Sequence, residues 1–387
     1  MPPSLRPPRT GPASTVLARI FALCCLLTEA FGLLRSRQAP PEFAEHILVS
    51  EDGVVGIPEL LLMTSPLERK ISYAQMDDFQ AKNQLVKPLV DSGLDQPFGL
   101  AYHPETRSLY VADYGLRKIV RYGLRVQPCE ACADGLDWEV LVSEPQKTIV
   151  TDVQARWLAV DGDGNLYFTE EHKHTVSRLD IKALGDIFGG YMEAEKLQHV
   201  GFSQAKSITE SGSDTDVIVD LFTATSTAST GADAQDKLVN GPAGLSVDGA
   251  GNVIWGNAES IAYGVSHAPG NSSRLPRPTI LVHDTEAPSD VCYTASMVLF
   301  TSQEKSLFGI CNGLRRVTLL SDAFKLPRSV VWDGDNTAYV ADHGANRVFS
   351  VATGRCRPHI VKRLAVDFRG VYGLAVIKAT ETAEEAE

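Results

Sequence analysis

Residues 96–122 read QPFGLAYHPETRSLYVADYGLRKIVRY. A Pro-led opening precedes an alternating apolar stretch, then a turn, a second apolar stretch, a short loop and a third stretch. Period-two alternation broken by turn residues at this spacing predicts short antiparallel strands. The same order recurs at 155–179 (ARWLAVDGDGNLYFTEEHKHTVSRL), 241–265 (GPAGLSVDGAGNVIWGNAESIAYGV), 288–310 (PSDVCYTASMVLFTSQEKSLFGI) and 326–351 (LPRSVVWDGDNTAYVADHGANRVFSV). The turns at 161–165, 248–252 and 333–336 are rich in Asp, Gly and Asn, residues that tolerate positive φ.

A fourth strand follows most units: WEVLVSEP (138–145), TILVHD (279–284), RVTLLSD (316–322) and HIVKRLAVD (359–367). Four strands per unit at a period of about 40–50 residues predict an all-β fold, a six-bladed β-propeller. Its ends complete one another. Residues 370–377 (GVYGLAVI) read as an opening strand followed only by an acidic tail, while 59–75 (ELLLMTSPLERKISYAQ) supply a second and third strand with no opening strand before them. The C-terminal strand is therefore expected to close the N-terminal blade and remove the free sheet edges. The stretch 182–240 breaks the spacing and reads as an insertion, with a degenerate seventh blade as the alternative. The domain reading is a signal or targeting segment at 1–38, a propeller at 43–378 with insertion 182–240, and an acidic tail at 379–387.

The segments VADYGLRKIVRY and VADHGANRVFSV resemble NHL repeats, in which a V-x-D core is followed by a basic and an apolar residue. The resemblance covers five or six segments, most of residues 59–377. It implies a six-bladed shape shared with gluconolactonase/senescence-marker enzymes, strictosidine-synthase-like proteins and amidating lyases, so the fold leaves the function open. Asp113 with Lys118, and Asp342 with Arg347, stand five apart and read as pairs pinning a loop within each blade. Asp161-Gly-Asp-Gly-Asn165 lacks the Gly and Glu of a calcium loop, having Leu166 and His172 there, and reads as a hairpin turn. His172 and His174 read as exposed loop residues in place of a metal pair.

In gluconolactonase-type enzymes a channel metal is held by Asn, Asp and Glu, several of them where the innermost strands begin. The matching residues here are Phe98, Arg156, Ala243, Ser289, Arg328 and Tyr372, without a carboxylate or amide among them. Two are cations, which repel a divalent ion. The mouth reads as a pocket formed by Phe98, Arg156, Trp157, Arg328 and Tyr372 for an anionic or aromatic ligand, both guanidiniums being expected free of carboxylate partners. No catalytic residue, metal or cofactor is assigned. The competing reading of these Arg residues is internal pairing with acids such as Asp290.

The expected function is a non-catalytic scaffold binding a protein or a small anionic ligand, with a metal-dependent hydrolase or lyase as the alternative and a monomer as the expected state. The net charge of −12 for the chain and +4 for its first 38 residues leave −16 for the remainder, which opposes nucleic-acid binding. Residues 1–19 are Pro- and Arg-rich, and the apolar run at 20–28 (IFALCCLLT) rises about 14 Å as a helix, too short for a membrane span. This pattern predicts a secretory signal and a secreted or endomembrane protein, an organelle transit peptide being the alternative. The sequon at Asn271 agrees with secretion. Cys129 and Cys132 form C-x-x-C without zinc or redox context and read as a small loop disulfide or two unpaired thiols. Sequencing the N-terminus of protein from its native host is expected to find a mature chain that begins near residue 35; a chain starting at Met1 would exclude the secretory reading.

Overall fold

The computed structural model describes residues 49–50, 53–54, 59–76, 85–129, 138–190, 193–205, 217–224, 239–268, 272, 274–311, 316–353 and 362–378. Residues 1–38, read above as a signal or targeting segment, lie outside them, as do Cys132, Asn271, Cys356 and the acidic stretch 379–387. The chain divides into two compact units, Met1–Gly56 and Ile57–Glu387. In the first, Val49–Ser50 and Gly53–Val54 pair as a short antiparallel hairpin.

The second unit is a six-bladed β-propeller. The first blade consists of Pro97–His103, Ser108–Asp113, Lys118–Pro128 and Trp138–Thr151. The third, fourth and fifth begin with Leu245–Val247, Pro288–Tyr293 and Pro327–Trp332, and each has four antiparallel strands. In the closing blade Leu374–Lys378 pairs with Glu59–Ser65, in register from Leu374 opposite Met63 to Lys378 opposite Glu59. Lys70–Met76 and Val86–Val90 complete it. The C-terminal strand thus closes the N-terminal blade.

The second blade differs. It runs Trp157–Val160, Leu166–Glu170, Thr175–Leu179 and then Val217–Thr223, with Gln198–Gly201 added outside as a parallel fifth strand. A helix, α1 (Ile181–Gly189), stands between its third and fourth strands and buries Ala183, Leu184 and Ile187. The stretch 182–240 therefore contains this blade's outer strand, and the described residues form no seventh blade.

Each blade packs on its neighbours through both faces. Leu60, Leu61, Leu62 and Met63 are all fully buried, which explains why this strand is apolar without alternation. Leu60 and Leu62 pack toward the first blade with Leu100, Leu109 and Val111, while Leu61 and Met63 pack toward the fifth with Tyr339, Ala341 and Val348. Inward, the strands crowd. A Cβ on Gly373 would lie 2.1 Å from the Phe98 carbonyl, and one on Gly99 would lie 2.5 Å from the Arg156 carbonyl, so neither place admits a side chain.

One polar residue at the end of each second strand ties the blade together. The Asp113 carboxylate accepts the backbone N–H groups of Asp95, Gln96 and Leu116 at 2.9, 3.0 and 3.1 Å. Asp342 accepts those of Lys325, Leu326 and Ala345 at 2.8, 2.8 and 3.2 Å. Glu170 accepts from Gln154 N–H and Asn257 from Asn240 N–H. Ser302 donates to the Glu286 carbonyl and Ser65 to that of Arg369. In all six blades the bond reaches the segment leading into the same blade's innermost strand.

This corrects the expected Asp–cation pairs. Asp113 does lie across the strands from Lys118, and Asp342 from Arg347. Both carboxylates are nevertheless fully buried and spent on backbone N–H groups, while Arg347 pairs with Asp367 at 2.6 Å. The turns behave as read: Asp161 accepts from the backbone N–H groups of Asp163 and Asn165, and Asp248 and Asp333 repeat the arrangement. Asp342→Ala is expected to cost about 2–4 kcal/mol by leaving buried N–H groups unpaired. Asp367→Ala, which removes an exposed pair, is expected to cost less than about 1 kcal/mol. Urea denaturation of the two variants checks the difference.

Candidate functional site

The first residues of the innermost strands meet at one mouth of the ring, and their backbone places them there. Thr64, Thr169 and Thr301 stand in alternate blades and donate their hydroxyls to the carbonyls of Phe98, Ala243 and Arg328 in the following blade, at 2.7, 2.8 and 2.6 Å. Gly244 N–H donates to the Ser289 carbonyl at 3.0 Å.

All five residues expected at this mouth come together. Phe98 and Trp157 stack on Tyr372, with ring centroids 4.4 and 5.5 Å away. The Arg328 guanidinium lies 5.7 Å from the Tyr372 ring, and that of Arg156 lies 5.7 Å from Phe98 and 5.2 Å from Tyr114. Tyr372 and Trp157 are buried, whereas Phe98 and both Arg residues are partly exposed. Burial pushes the Tyr372 phenol up, against the pull of Arg328 and Arg156 on either side.

The expectation that both guanidiniums are free of carboxylates needs correction at one of them. Arg156 Nη1 lies 3.5 Å from Glu171 Oε2, in a pair with both side chains more than a third exposed. The polar contact of Arg328 is to a hydroxyl: its Nη1 lies 3.4 Å from Ser289 Oγ. In both side chains Nε is buried and has no hydrogen-bond partner. A guanidinium carries five N–H donors, so each keeps at least its Nε donor unmet, although Arg156 also hydrogen-bonds the Tyr114 side chain.

Asp290 pairs with neither Arg. Its carboxylate accepts from Val291 N–H at 2.9 Å and, in the next blade, from Ser329 Oγ at 3.0 Å and Val330 N–H at 2.9 Å. Burial pushes its carboxyl up to about 7. It lines a channel cavity of about 210 Å³ together with Trp157, Ser246, Cys292 and Ser329. Trp157 belongs to both places; the other four mouth residues do not line this cavity. Cys292 is a buried free thiol that burial pushes up to about 12.

Three mouth residues lay outside the sequence-based set: Tyr114, Glu171 and His343. Each directly follows the backbone-binding residue of its blade, after Asp113, Glu170 and Asp342, and that offset is the signal that identifies them. His343 shares a hydrogen bond of 3.0 Å with the Val371 carbonyl and meets Tyr372 edge-on. His172 and Tyr114 share a hydrogen bond of 3.2 Å, whereas His174 Nδ1 accepts Gly241 N–H at 2.8 Å. The two His residues thus serve separate contacts. Among the described residues no group of three or more His, Cys, Asp or Glu is arranged to hold a metal ion.

No protein-family model matches the chain. No curated protein matches it either. Solved structures do. A chain of the nidogen/laminin complex aligns with a TM-score of 0.55 at 15% identity, covering 82% of this chain and 98% of that one. A gluconolactonase from Xanthomonas campestris aligns at 0.44 and 12% identity, covering 81% and 86%. Virginiamycin B lyase from Staphylococcus aureus aligns at 0.40 and 13% identity, covering 69% of each chain. At these identities the first likeness concerns the fold.

The raised carboxyl of Asp290 has a pH consequence. Its folded value of about 7 stands above the ordinary 3.8, so folding favours the protonated form. The associated stability is complete below pH 4 and is lost as pH rises toward and through 7. The full difference is about 4 kcal/mol at most. Glu59, also pushed up to about 7 by burial, acts with the same sign. Thermal melting is expected to fall between pH 5 and pH 8, and Asp290→Asn, neutral throughout, is expected to flatten that slope. A wild-type slope unchanged in the variant would remove Asp290 from this account.

Proposed function

We propose that the protein is a non-catalytic binding propeller whose ligand, a protein segment or small molecule bearing an anionic group, engages the mouth at Phe98, Arg156, Trp157, Arg328 and Tyr372. The observation that carries this reading is the pair of under-bonded guanidiniums on one aromatic cluster. Guanidiniums recognise carboxylate, phosphate and sulfate through forked, charge-assisted hydrogen bonds. The aromatic rings supply apolar walls, and burial of the stack keeps the charges on a firm base. The nidogen/laminin chain, whose fold is similar, comes from a protein–protein complex, which agrees with a propeller mouth used for binding.

A hydrolase or lyase is the second reading, and Asp290 is what favours it. A carboxyl with a raised pKa in a channel is a candidate general acid. Its three hydrogen bonds from neighbouring backbone and hydroxyl groups also account for it as a tie between the fourth and fifth blades. We place the protein in a secreted or endomembrane compartment as a monomer. The disulfides at Cys129 and Cys311 support an oxidising environment. Among the described residues no helix is long and apolar enough to cross a membrane.

Thermal melting with sulfate or succinate, against calcium or zinc, tests the choice. An anion that occupies the mouth is expected to raise the melting temperature with concentration, by about 2.7 kcal/mol of stability at one hundred times its dissociation constant. Arg156→Gln and Arg328→Gln are each expected to abolish the response. A stoichiometric divalent ion that survives dialysis would instead favour the hydrolase reading.

A further inference from the structure

The mouth already contains one anion of its own. Glu171 follows Glu170, whose carboxylate is buried against Gln154 N–H and Lys173. The fixed neighbour sets where Glu171 stands: in the loop after the second strand of the second blade, beside the mouth. From there its carboxylate reaches Arg156 at 3.5 Å, longer than a charge-assisted hydrogen bond of about 2.7–2.9 Å. The Glu171 side chain is 46% exposed and that of Arg156 36%. The pair is loose, wet and reversible.

Its setting distinguishes it from the structural acids. Asp113, Asp342 and Asp290 are buried and each accepts three hydrogen bonds. Glu171 ties no backbone and faces solvent on the rim. Arg328, flanking the same Tyr372, has a hydroxyl partner where Arg156 has a carboxylate. One guanidinium, partly exposed, therefore meets no carboxylate, while the other is covered by a side chain able to swing away.

Resting on the binding reading above, we propose that Glu171 is a built-in stand-in for the ligand, and that the group the mouth takes is a carboxylate, which displaces Glu171 from Arg156 while also engaging Arg328. Glu171 resembles such a ligand in charge and planar shape, and it competes for the same donors. The site is thereby held at reduced affinity: an incoming carboxylate gains only the difference between its own contact and the one it replaces. Once displaced, Glu171 is close enough to repel a second anion, so the mouth takes one carboxylate at a time.

The experiment is titration of the full propeller with succinate and, separately, with sulfate, by calorimetry at low salt, on wild type, Glu171→Gln, Arg156→Gln, Arg328→Gln and Glu171→Gln/Arg156→Gln. Circular dichroism confirms that each variant is folded, which exposed loop and rim substitutions are expected to permit. Glu171→Gln is expected to bind succinate about two- to fivefold more tightly, the range that loss of an exposed ion pair allows. The gain is expected to vanish in the double variant, and Arg328→Gln is expected to lose binding. Unchanged or weaker binding in Glu171→Gln, or a gain that persists without Arg156, overturns the stand-in. Tighter binding of sulfate than of succinate overturns the carboxylate class. Absence of binding by either anion to wild type and Glu171→Gln alike overturns the binding reading of the mouth itself.

Discussion

The propeller depends on one repeated constraint: the end of each blade's second strand must hold the chain that leads into the same blade's first. Where that holder is an aspartate, one carboxylate gathers three N–H groups from two separate segments. Backbone N–H groups buried without partners are costly, and the segments between blades have no sheet of their own to satisfy them. The tie therefore does two things together. It pairs the loop, and it fixes the height at which each innermost strand enters the ring.

The mouth follows from that height. Once the six openings are level, Phe98, Arg328 and Ala243 give their carbonyls to hydroxyls of the preceding blade. The ring is thus joined at alternate openings through main-chain carbonyls, with Trp157 and Tyr372 packed into the core beside them. The side chains there include an aromatic stack, buried at Trp157 and Tyr372 and partly exposed at Phe98, and two partly exposed cations. A scaffold joined in this way tolerates changes in mouth chemistry without changes in blade packing, as expected of a fold that serves several functions.

Most of the architecture was legible because blade strands carry period-two patterns and turn residues at even intervals. The closure was legible because a lone strand at 370–377 and a two-strand fragment at 59–75 complete one another. The outer strand of the second blade was hidden: helix α1 and a long connection separate Leu179 from Val217, so proximity in sequence gave no hint of their pairing. The partners of Asp113 and Asp342 were misread for a related reason. Spacing reveals which residue lies across a hairpin, and it did place Lys118 and Arg347 correctly. It does not reveal backbone N–H groups arriving from seventeen residues upstream. Phe98, Arg156, Arg328 and Tyr372 were legible as equivalent strand openings, with Trp157 beside one of them, whereas Glu171 was obscured by its place in a polar loop.

The joining of the two ends also sets an order of events. Thr64 and Gly373 are bonded across 309 positions, and no nearer segment can replace Leu374–Lys378 beside Glu59–Ser65. During synthesis the N-terminal strands leave the ribosome first; Leu60 and Leu62 can pack on the first blade, but Leu61 and Met63, which face the fifth, wait uncovered until it has been made. Five blades are able to form in sequence while the remaining one stays open. The nascent protein thus carries an adhesive edge for most of its translation, and chaperones that shield apolar strands have their longest engagement at this end of the chain.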